Sequence, residues 1–504
     1  MKGVMGKILF VDLTSGEMHT EYPPESVYQE YLGGYGLGVK ILYDHMKPGV
    51  DPLGPDNIFG LLTGPLTGTR SITGNRWIAV GKSPKTGGWG DANCGGTFGP
   101  ALKSAGYDAI FFTGASDHPV YLYVTDEQVE LRDASHLWGL DGLEAEAKLK
   151  EELGKKFEIA LIGLGGEKLS LTAGVMNDFG RAAARSGLGA VMGSKKLKAV
   201  AASGSQKISV ANDEALGKYV QETMRAAKNS GAPIYEMFTT FGTSGGTAAS
   251  AFNGDSPVKN WAGVGEIDFP NAHQISDVVL QQYEKKRDGC WHCMISCSGH
   301  LVVPDGPYKA DTHRPKYETL GAFGTMTLID NTAAMVLVEE LCGRYGLDSI
   351  AAGSVISFAM ECYEKGLITQ EDTGGLELTW GNTDAMIELL HQIGKREGFG
   401  AVLADGVKVA AQRIGKGSEE FAIHVNGEEI AMHDSRNAPG LALTYQVDAT
   451  PGRHTQGGTG ALEMLGMPIP EQLGGAGKHE YSKKGMAHRI LVNSNHLLTA
   501  TGLC

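Results

Sequence analysis

The spacing of apolar and polar positions changes character along the chain. Over residues 1 to about 210, short apolar runs alternate with Gly, Pro and Asn, the rhythm of strands joined by tight turns. Residues 8–13 predict a strand, closed by the turn Thr14-Ser-Gly-Glu17, and 77–80, 109–113, 120–124 and 198–202 predict others. A helical pattern over about 143–153 interrupts them. Beyond about 210 the period lengthens. Asn212 is placed to cap a helix carrying Leu216, Val220 and Met224 on one face. Further helices are predicted over about 331–345, 349–365 and 384–396, the last stopped by Gly398. From about 416 loops and short strands return, before a final helix near 481–498. The pattern predicts an α+β fold in three parts: a β-rich domain over 1–210, a helical domain over 211–415 and a C-terminal domain over 416–504.

Composition sharpens this only in places. Glycine makes up 72 of 504 residues, about twice ordinary usage, and is spread along the chain rather than gathered in a tract. Such backbone suits a large polar ligand held by main-chain groups, and equally a loop-rich protein. The net charge of −14, from 44 Lys and Arg against 58 Asp and Glu, leaves no cationic excess to displace phosphate counterions, so nucleic-acid binding is not expected. No apolar stretch approaches the ~18 residues that span a bilayer. The run 8–11 is cut by Asp12 and is too short for a signal-peptide core. The ending Thr501-Gly-Leu-Cys504 lacks the prenylation cysteine, which would stand at Thr501. A cytoplasmic protein is the expectation.

Seven cysteines in so long a chain make no disulfide framework. Three of them crowd into Cys290-Trp-His-Cys293-Met-Ile-Ser-Cys297, a C-x2-C-x3-C loop. Thiolates at this spacing converge on an iron–sulfur cluster. With His300, three residues further on, the same loop could hold zinc as a Cys₃His set. A second glycine-rich stretch, Gly187-Leu-Gly-Ala-Val-Met-Gly193, superficially suggests a dinucleotide loop. Its spacing is wrong and residues 181–186 do not read as a strand, so that reading is set aside.

A series of longer motifs resolves the cysteine loop. In order they are Gly64-Pro-Leu-Thr-Gly-Thr-Arg70, Thr73-Gly-Asn-Arg76, Ala92-Asn-Cys-Gly-Gly-Thr-Phe-Gly99 and Ala105-Gly-Tyr-Asp-Ala-Ile110. Arg132-Asp-Ala-Ser-His-Leu-Trp138 and Arg181-Ala-Ala-Ala-Arg-Ser-Gly-Leu-Gly-Ala-Val-Met-Gly193 follow, then the three-cysteine loop and Cys342-Gly-Arg-Tyr-Gly-Leu-Asp348. Lys395-Arg-Glu-Gly-Phe-Gly400 and Gly502-Leu-Cys504 complete the series. No one of these is decisive alone, but in this order the chain resembles the aldehyde:ferredoxin oxidoreductases over essentially its whole length.

The resemblance implies a β-rich base for a bis-pyranopterin tungsten (or molybdenum) cofactor, covered by two mostly helical domains, with a [4Fe-4S] cluster beside the pterin. It implies Cys290, Cys293, Cys297 and Cys504 as cluster ligands and Arg76 as a bridge between cluster and pterin. Asn93 and Ala182 would offer backbone oxygens to a Mg²⁺ between the cofactor phosphates, with Gly95, Arg181, Arg185 and Asp348 also at the cofactor. Arg forks and glycine-rich backbone suit phosphate. Glu318, in Lys316-Tyr-Glu-Thr319, and His454, in Thr450-Pro-Gly-Arg-His454, resemble the family's acid–base residues near the metal. The implied reaction is oxidation of an aldehyde to a carboxylic acid, with electrons passing through the cluster to ferredoxin or a ferredoxin-like subunit. A relative acting on another substrate, or a non-catalytic iron–sulfur electron-transfer chain, is the alternative.

Departures accompany the resemblance. Where the family carries pterin-holding aspartates, this chain has Gly343 and Thr499, although Asp348 is kept. The family also continues well beyond the position of Cys504. The third domain is therefore expected to be incomplete here, with its remainder supplied by a partner chain or a homo-oligomer, or with this chain a fragment of a longer one. Cys504 would then need tethering by the helix before it or by such a partner.

Overall fold

Alternation within each strand builds the N-terminal region in layers. In the computed structural model, which describes residues 1–504, Leu9 and Val11 point into one core while Ile8 and Phe10 point into another. The strands are β1 Ile8–Asp12, β2 Met18–Glu21, β3 Phe59–Thr63, β4 Trp77–Lys82, β5 Trp89–Cys94 and β6 Ala109–Thr113, in the order β2-β1-β6-β3-β4-β5. A second sheet holds β7 Val120–Val124, β8 Val129–Asp133, β9 Glu158–Leu161, β10 Val175–Asn177, β11 Arg181–Ala183 and β12 Leu197–Ala202, in the order β11-β10-β9-β12-β7-β8. The pairs β1–β6 and β7–β12 are parallel and the rest antiparallel. The core between the sheets joins Leu9, Phe59, Trp77 and Phe112 to Val120, Leu122 and Val200. Outside the first sheet, Ile8, Phe10, Ile78 and Val80 pack under the helix Gly34–His45. Outside the second, Tyr121, Ile159 and Ala199 pack with Leu149 of the helix Gly142–Leu153. Helix, sheet, sheet and helix make four layers.

Each strand expected in this region is present, and the helix predicted over 143–153 has Asp141 as its cap. Several elements escaped the pattern. Gly34–His45 carries too many glycines to read as helix, and the short edge strands β10 and β11 carry too little apolar signal. One expectation is corrected: residues 181–183 do form a strand and Leu188–Ser194 a helix. Dinucleotide binding is still not the use of those glycines. A Cβ on Gly189 would stand 2.4 Å from the Gly174 carbonyl oxygen, and one on Gly193 would stand 2.0 Å from that of Gly166. They let a buried helix lie directly on backbone.

The helical region has its own core, built on Thr332–Tyr345, Ser349–Glu364 and Thr383–Lys395. Asn331, Asp348 and Asn382 cap these helices through their side chains. The third stops at Arg396, which takes the left-handed conformation at φ 55°, not at the expected Gly398. The helix Asp213–Asn229 forms with its Asn212 cap, but its apolar face stays unburied, with Met224 43% exposed. After Pro439–Val447 and Thr459–Met464, the last helix, Lys484–Ala500, returns to the first domain, where His496 meets the ring of Tyr35 edge-on at 5.8 Å. No helix is long and apolar enough to cross a membrane.

Candidate active site

Three of the four candidate cluster cysteines lie in one hairpin loop. Glu284–Asp288 and Ser298–Val303 pair antiparallel, and residues 289–297 connect them. Within that loop Cys293 N–H donates to the Cys290 carbonyl at 3.1 Å, while His292 and Ser296 take positive φ, so the turn is tight enough to gather the thiols. The loop sits on the first domain: Trp291 N–H donates to Gly96 O at 3.3 Å, and a Cβ on Gly95 would stand 2.7 Å from Cys290 Sγ. Gly95 is thus required by the approach of that sulfur. His300 faces elsewhere, with Nε2 2.5 Å from Asp311 Oδ1 across the neighbouring strand, so it does not join the thiols.

The fourth cysteine arrives from the chain's last residues. Thr501 O accepts from Leu66 N–H at 2.8 Å and Gly502 O from Arg76 N–H at 3.1 Å, which seats the tail on the loop after β3. The tether is therefore internal, made by the preceding helix and this loop. Arg76 then donates through its guanidinium to Cys504 Sγ at 2.8 Å. Burial opposes its charge, but Cys504, Cys290 and Cys94 together hold it protonated well above the ordinary range. All seven cysteines are free, and these four are partly or fully accessible. A thiol-rich site with an arginine against it and room made by a glycine fits an iron–sulfur cluster.

Strand β5 links this region to a second one. Its alternation puts Ala92 and Cys94 in the core and Asp91 and Asn93 on the opposite face. Arg453 grips Asp91 with Nη1 and Nη2 at 2.5 and 3.1 Å, and Thr450 Oγ1 donates to the same carboxylate at 2.8 Å. Burial works to raise the Asp91 pKa, but Arg453 and its hydrogen bonds win and lower it. This clamp fixes the segment carrying His454.

His454 Nδ1 lies 3.3 Å from Glu318 Oε1, and neither atom has a hydrogen-bond partner. Glu318 belongs to the short helix Tyr317–Leu320, which runs into a π-turn over Gly321–Thr325, an irregularity common at functional sites. Its other oxygen accepts from Met432 N–H at 2.8 Å. Burial raises the Glu318 pKa against the pull of His433 and that N–H. Burial and then His433 push His454 well below the usual histidine range. His433, absent from the sequence reading, completes the group: its Nε2 is 3.7 Å from Glu318 Oε1, and its ring meets His454 at 4.7 Å between centroids. Each of the three offers an atom within 4.8 Å of the others, near enough to share a proton or hold one cation. No motif signals His433, which comes from a separate loop.

The remaining predicted residues are distributed. Arg181 bonds Asp178 at 2.9 Å and Asp288 at 2.8 Å, tying the cysteine hairpin to β11. The edge strands β5 and β11 adjoin, which brings the segments of Asn93 and Ala182 close. Arg185 pairs with Asp348 at 3.3 Å, and its Nε lies 3.1 Å from Glu428 Oε1 without the alignment of a hydrogen bond. Burial raises Asp348 to about 6 despite Arg185 and Lys85. Asp348 also caps its helix, so both members of this pair have structural partners. Buried polar atoms without partners include Asn75 Oδ1, Thr97 Oγ1, Asn177 Oδ1, Arg453 Nε and Gln456 Oε1. Orphaned donors and acceptors of this kind fit a large polar cofactor. At the departure positions, a Cβ on Gly343 would meet Gly180 Cα at 3.3 Å, and the Thr499 hydroxyl is spent on Asn495 O at 2.9 Å.

Residues 8–204 match the model of the aldehyde ferredoxin oxidoreductase N-terminal domain, and residues 218–504 match that of domains 2 and 3. A tungsten-containing aldehyde ferredoxin oxidoreductase of Pyrococcus furiosus is 37% identical over 514 aligned positions, covering 100% of this chain and 82% of the relative. A second Pyrococcus furiosus protein, the WOR-like subunit of an aliphatic sulfonate oxidoreductase, is 34% identical over 92% of this chain and 76% of its own length. Among solved structures, the BamBC active-site complex of benzoyl coenzyme A reductase with 1,5-dienoyl-CoA superposes with a TM-score of 0.79 at 28% identity, covering 90% of this chain and 70% of that one. The chain is therefore an oxidoreductase of the aldehyde ferredoxin oxidoreductase family.

Proposed function

We propose that the protein oxidises an aldehyde to a carboxylic acid, with Glu318 as the base and His454 beside it. The observation that carries this reading is the enclosed pair of orphaned atoms, Glu318 Oε1 and His454 Nδ1, 3.3 Å apart. Aldehyde oxidation adds an oxygen from water and releases an electron pair with protons. A carboxylate of raised pKa accepts such a proton efficiently, a contribution typically worth ~10²–10⁴ in rate. His454, kept neutral by its surroundings, orients the incoming water or hydrated aldehyde without competing for charge.

Four thiols would hold the cluster: Cys290, Cys293, Cys297 and Cys504. Arg76 would span the gap to the pterin, and Arg181, Arg185 and Asp348 would lie around the pterin's polar rim. The backbone oxygens of Asn93 and Ala182 would bind Mg²⁺, with Gly95 leaving room. When bound, the pterin metal, tungsten or molybdenum, would supply the two-electron acceptor, and the cluster would supply a path outward. The surface at Cys504, which is exposed, and at Trp291, 39% exposed, supports an exit there. A ferredoxin-like carrier would collect the electrons there. In this reading the domains divide near residues 210 and 415.

A second reading keeps the machinery and changes the substrate. The relative named as an aliphatic sulfonate oxidoreductase supports it, as do Gly343 and Thr499 in place of the family's aspartates. Anaerobic purification followed by metal and pterin analysis, then dye reduction by a panel of aldehydes and sulfonates, tests both. Iron with tungsten or molybdenum, released pterin and aldehyde-dependent reduction are expected. Zinc without pterin would overturn both readings, and sulfonate turnover alone would select the second.

A further inference from the structure

We propose that Asp255 and His433 form a dyad behind Glu318, fixing the imidazole so that it receives the proton Glu318 has taken and carries it away from the reacting carbon. This rests on Glu318 being the base.

The geometry is specific. His433 Nδ1 lies 2.8 Å from Asp255 Oδ2 and Nε2 lies 3.7 Å from Glu318 Oε1. A neutral imidazole carries one hydrogen, and of its two carboxylate neighbours only Asp255, at 2.8 Å, is within hydrogen-bond length, so Nδ1–H points to Asp255 and the Nε2 lone pair points to Glu318. The ring cannot turn freely. Tyr317 stacks on it with centroids 4.7 Å apart, and His454 meets it edge-on. Its backbone is held as well, because Tyr445 Oη donates to His433 O at 2.8 Å and Asp434 N–H donates to Asp255 O at 2.5 Å. Asp255, His433 and Asp434 therefore move as one piece.

The transfer is balanced without a co-reactant. The Glu318 O–H bond breaks, an Nε2–H bond forms, and the imidazolium is neutralised by Asp255. Reaching hydrogen-bond length needs Glu318 to approach by roughly 0.5–1 Å. The two histidines differ in one respect that sorts their roles: His433 has a carboxylate partner on its far nitrogen and His454 has none. Burial opposes charge on both, but Asp255 and Glu318 raise the His433 pKa while that of His454 falls. The other charged or titratable groups facing this pocket are Asp434, Arg185, Arg453, Tyr317 and Tyr445.

Asp255→Asn keeps the hydrogen-bond acceptor and removes the charge. In fully metallated enzyme it should lower kcat about ten- to a hundredfold with KM for aldehyde little changed. It should also move the histidine limb of the pH profile to lower pH, and Asp255→Glu should recover part of the loss. In histidine-labelled protein, nitrogen NMR should show the His433 proton on Nδ1 and a lower titration midpoint in Asp255→Asn. A proton on Nε2, or an unshifted pH profile in Asp255→Asn, would overturn the dyad. Glu318→Gln run alongside separates the failures. If it turns over normally, the base reading itself is wrong. If it is inactive while His433→Gln keeps wild-type kcat and pH profile, only the dyad is wrong.

Discussion

The cysteine hairpin and the Glu318 pocket are assembled in opposite ways. Three thiols of the first come from one nine-residue loop, residues 289–297, and stand partly open to solvent with the exposed Cys504. The second draws Asp255, Glu318, His433 and His454 from four separate segments and leaves the last three half-buried, but shuts Glu318 Oε1 and His454 Nδ1 off from solvent without partners. Metal ligation needs soft donors at short spacing, and water nearby does it little harm. Proton transfer from a reacting carbon gains from exclusion of water, because a buried carboxylate is the stronger base. Strand β5 joins the two regions: Gly95, just past its end, lies under Cys290, and Asp91 anchors the His454 segment through Arg453.

Glu318→Gln strikes the enclosed pocket alone and carries the largest expected effect. Turnover should fall ~10²–10⁴-fold while iron and tungsten or molybdenum contents stay at wild-type level. Normal turnover in fully metallated variant would remove the distinction between a proton site and a metal site.

Cys504→Ser strikes the open site alone. It removes the thiol that receives the Arg76 hydrogen bond, so the variant should lose iron and change its low-temperature EPR signal while retaining pterin. An unaltered signal and potential would place the fourth ligand elsewhere.

Asp91→Asn tests whether β5 couples the two. Leaving buried Arg453 with only the more distant Asp448, at 3.7 Å, should cost about 3 kcal/mol in denaturant unfolding and weaken turnover by loosening His454, with cluster content unchanged. Equal loss of iron and of turnover would mean that the regions do not behave separately.

The smallest effect concerns the support behind Glu318. Glu339 accepts from Thr319 Oγ1 at 2.8 Å, and burial raises its pKa from 4.5 to about 7. A raised carboxyl binds its proton more tightly when folded, so this contribution to stability is complete below about pH 4.5 and is lost as pH rises through about 7. Glu339→Gln should remove that slope, gaining on wild type at about pH 8 relative to about pH 5 in thermal unfolding. Parallel stability curves would show that Glu339 is solvated.

Local signals account for what was legible. The apolar runs of β1, β6, β7 and β12, the cap at Asn212, and the C-x2-C-x3-C loop all act over a few residues, and each forms where expected. Gly34–His45 was hidden because its glycines serve packing against β4 and not intrinsic helix propensity. The left-handed Arg396 was hidden because Gly398 was the better candidate by conformational preference alone. At 213–229 the amphipathic pattern predicted the helix correctly but not its burial, since a pattern shows that an apolar face exists and not what covers it.

By itself the sequence determined the α+β class, the cysteine loop and, through its ordered motifs, the family. Glu318 and His454 were reachable only through that resemblance. Tertiary structure alone decided that His433 and Asp255 stand behind Glu318, that Arg453 holds the His454 segment through Asp91, and that the last residues dock on the loop after β3. These contacts join positions more than a hundred residues apart, and no local periodicity or propensity carries a signal over that separation. Chain packing brings them together and removes the water that would otherwise level their pKa values.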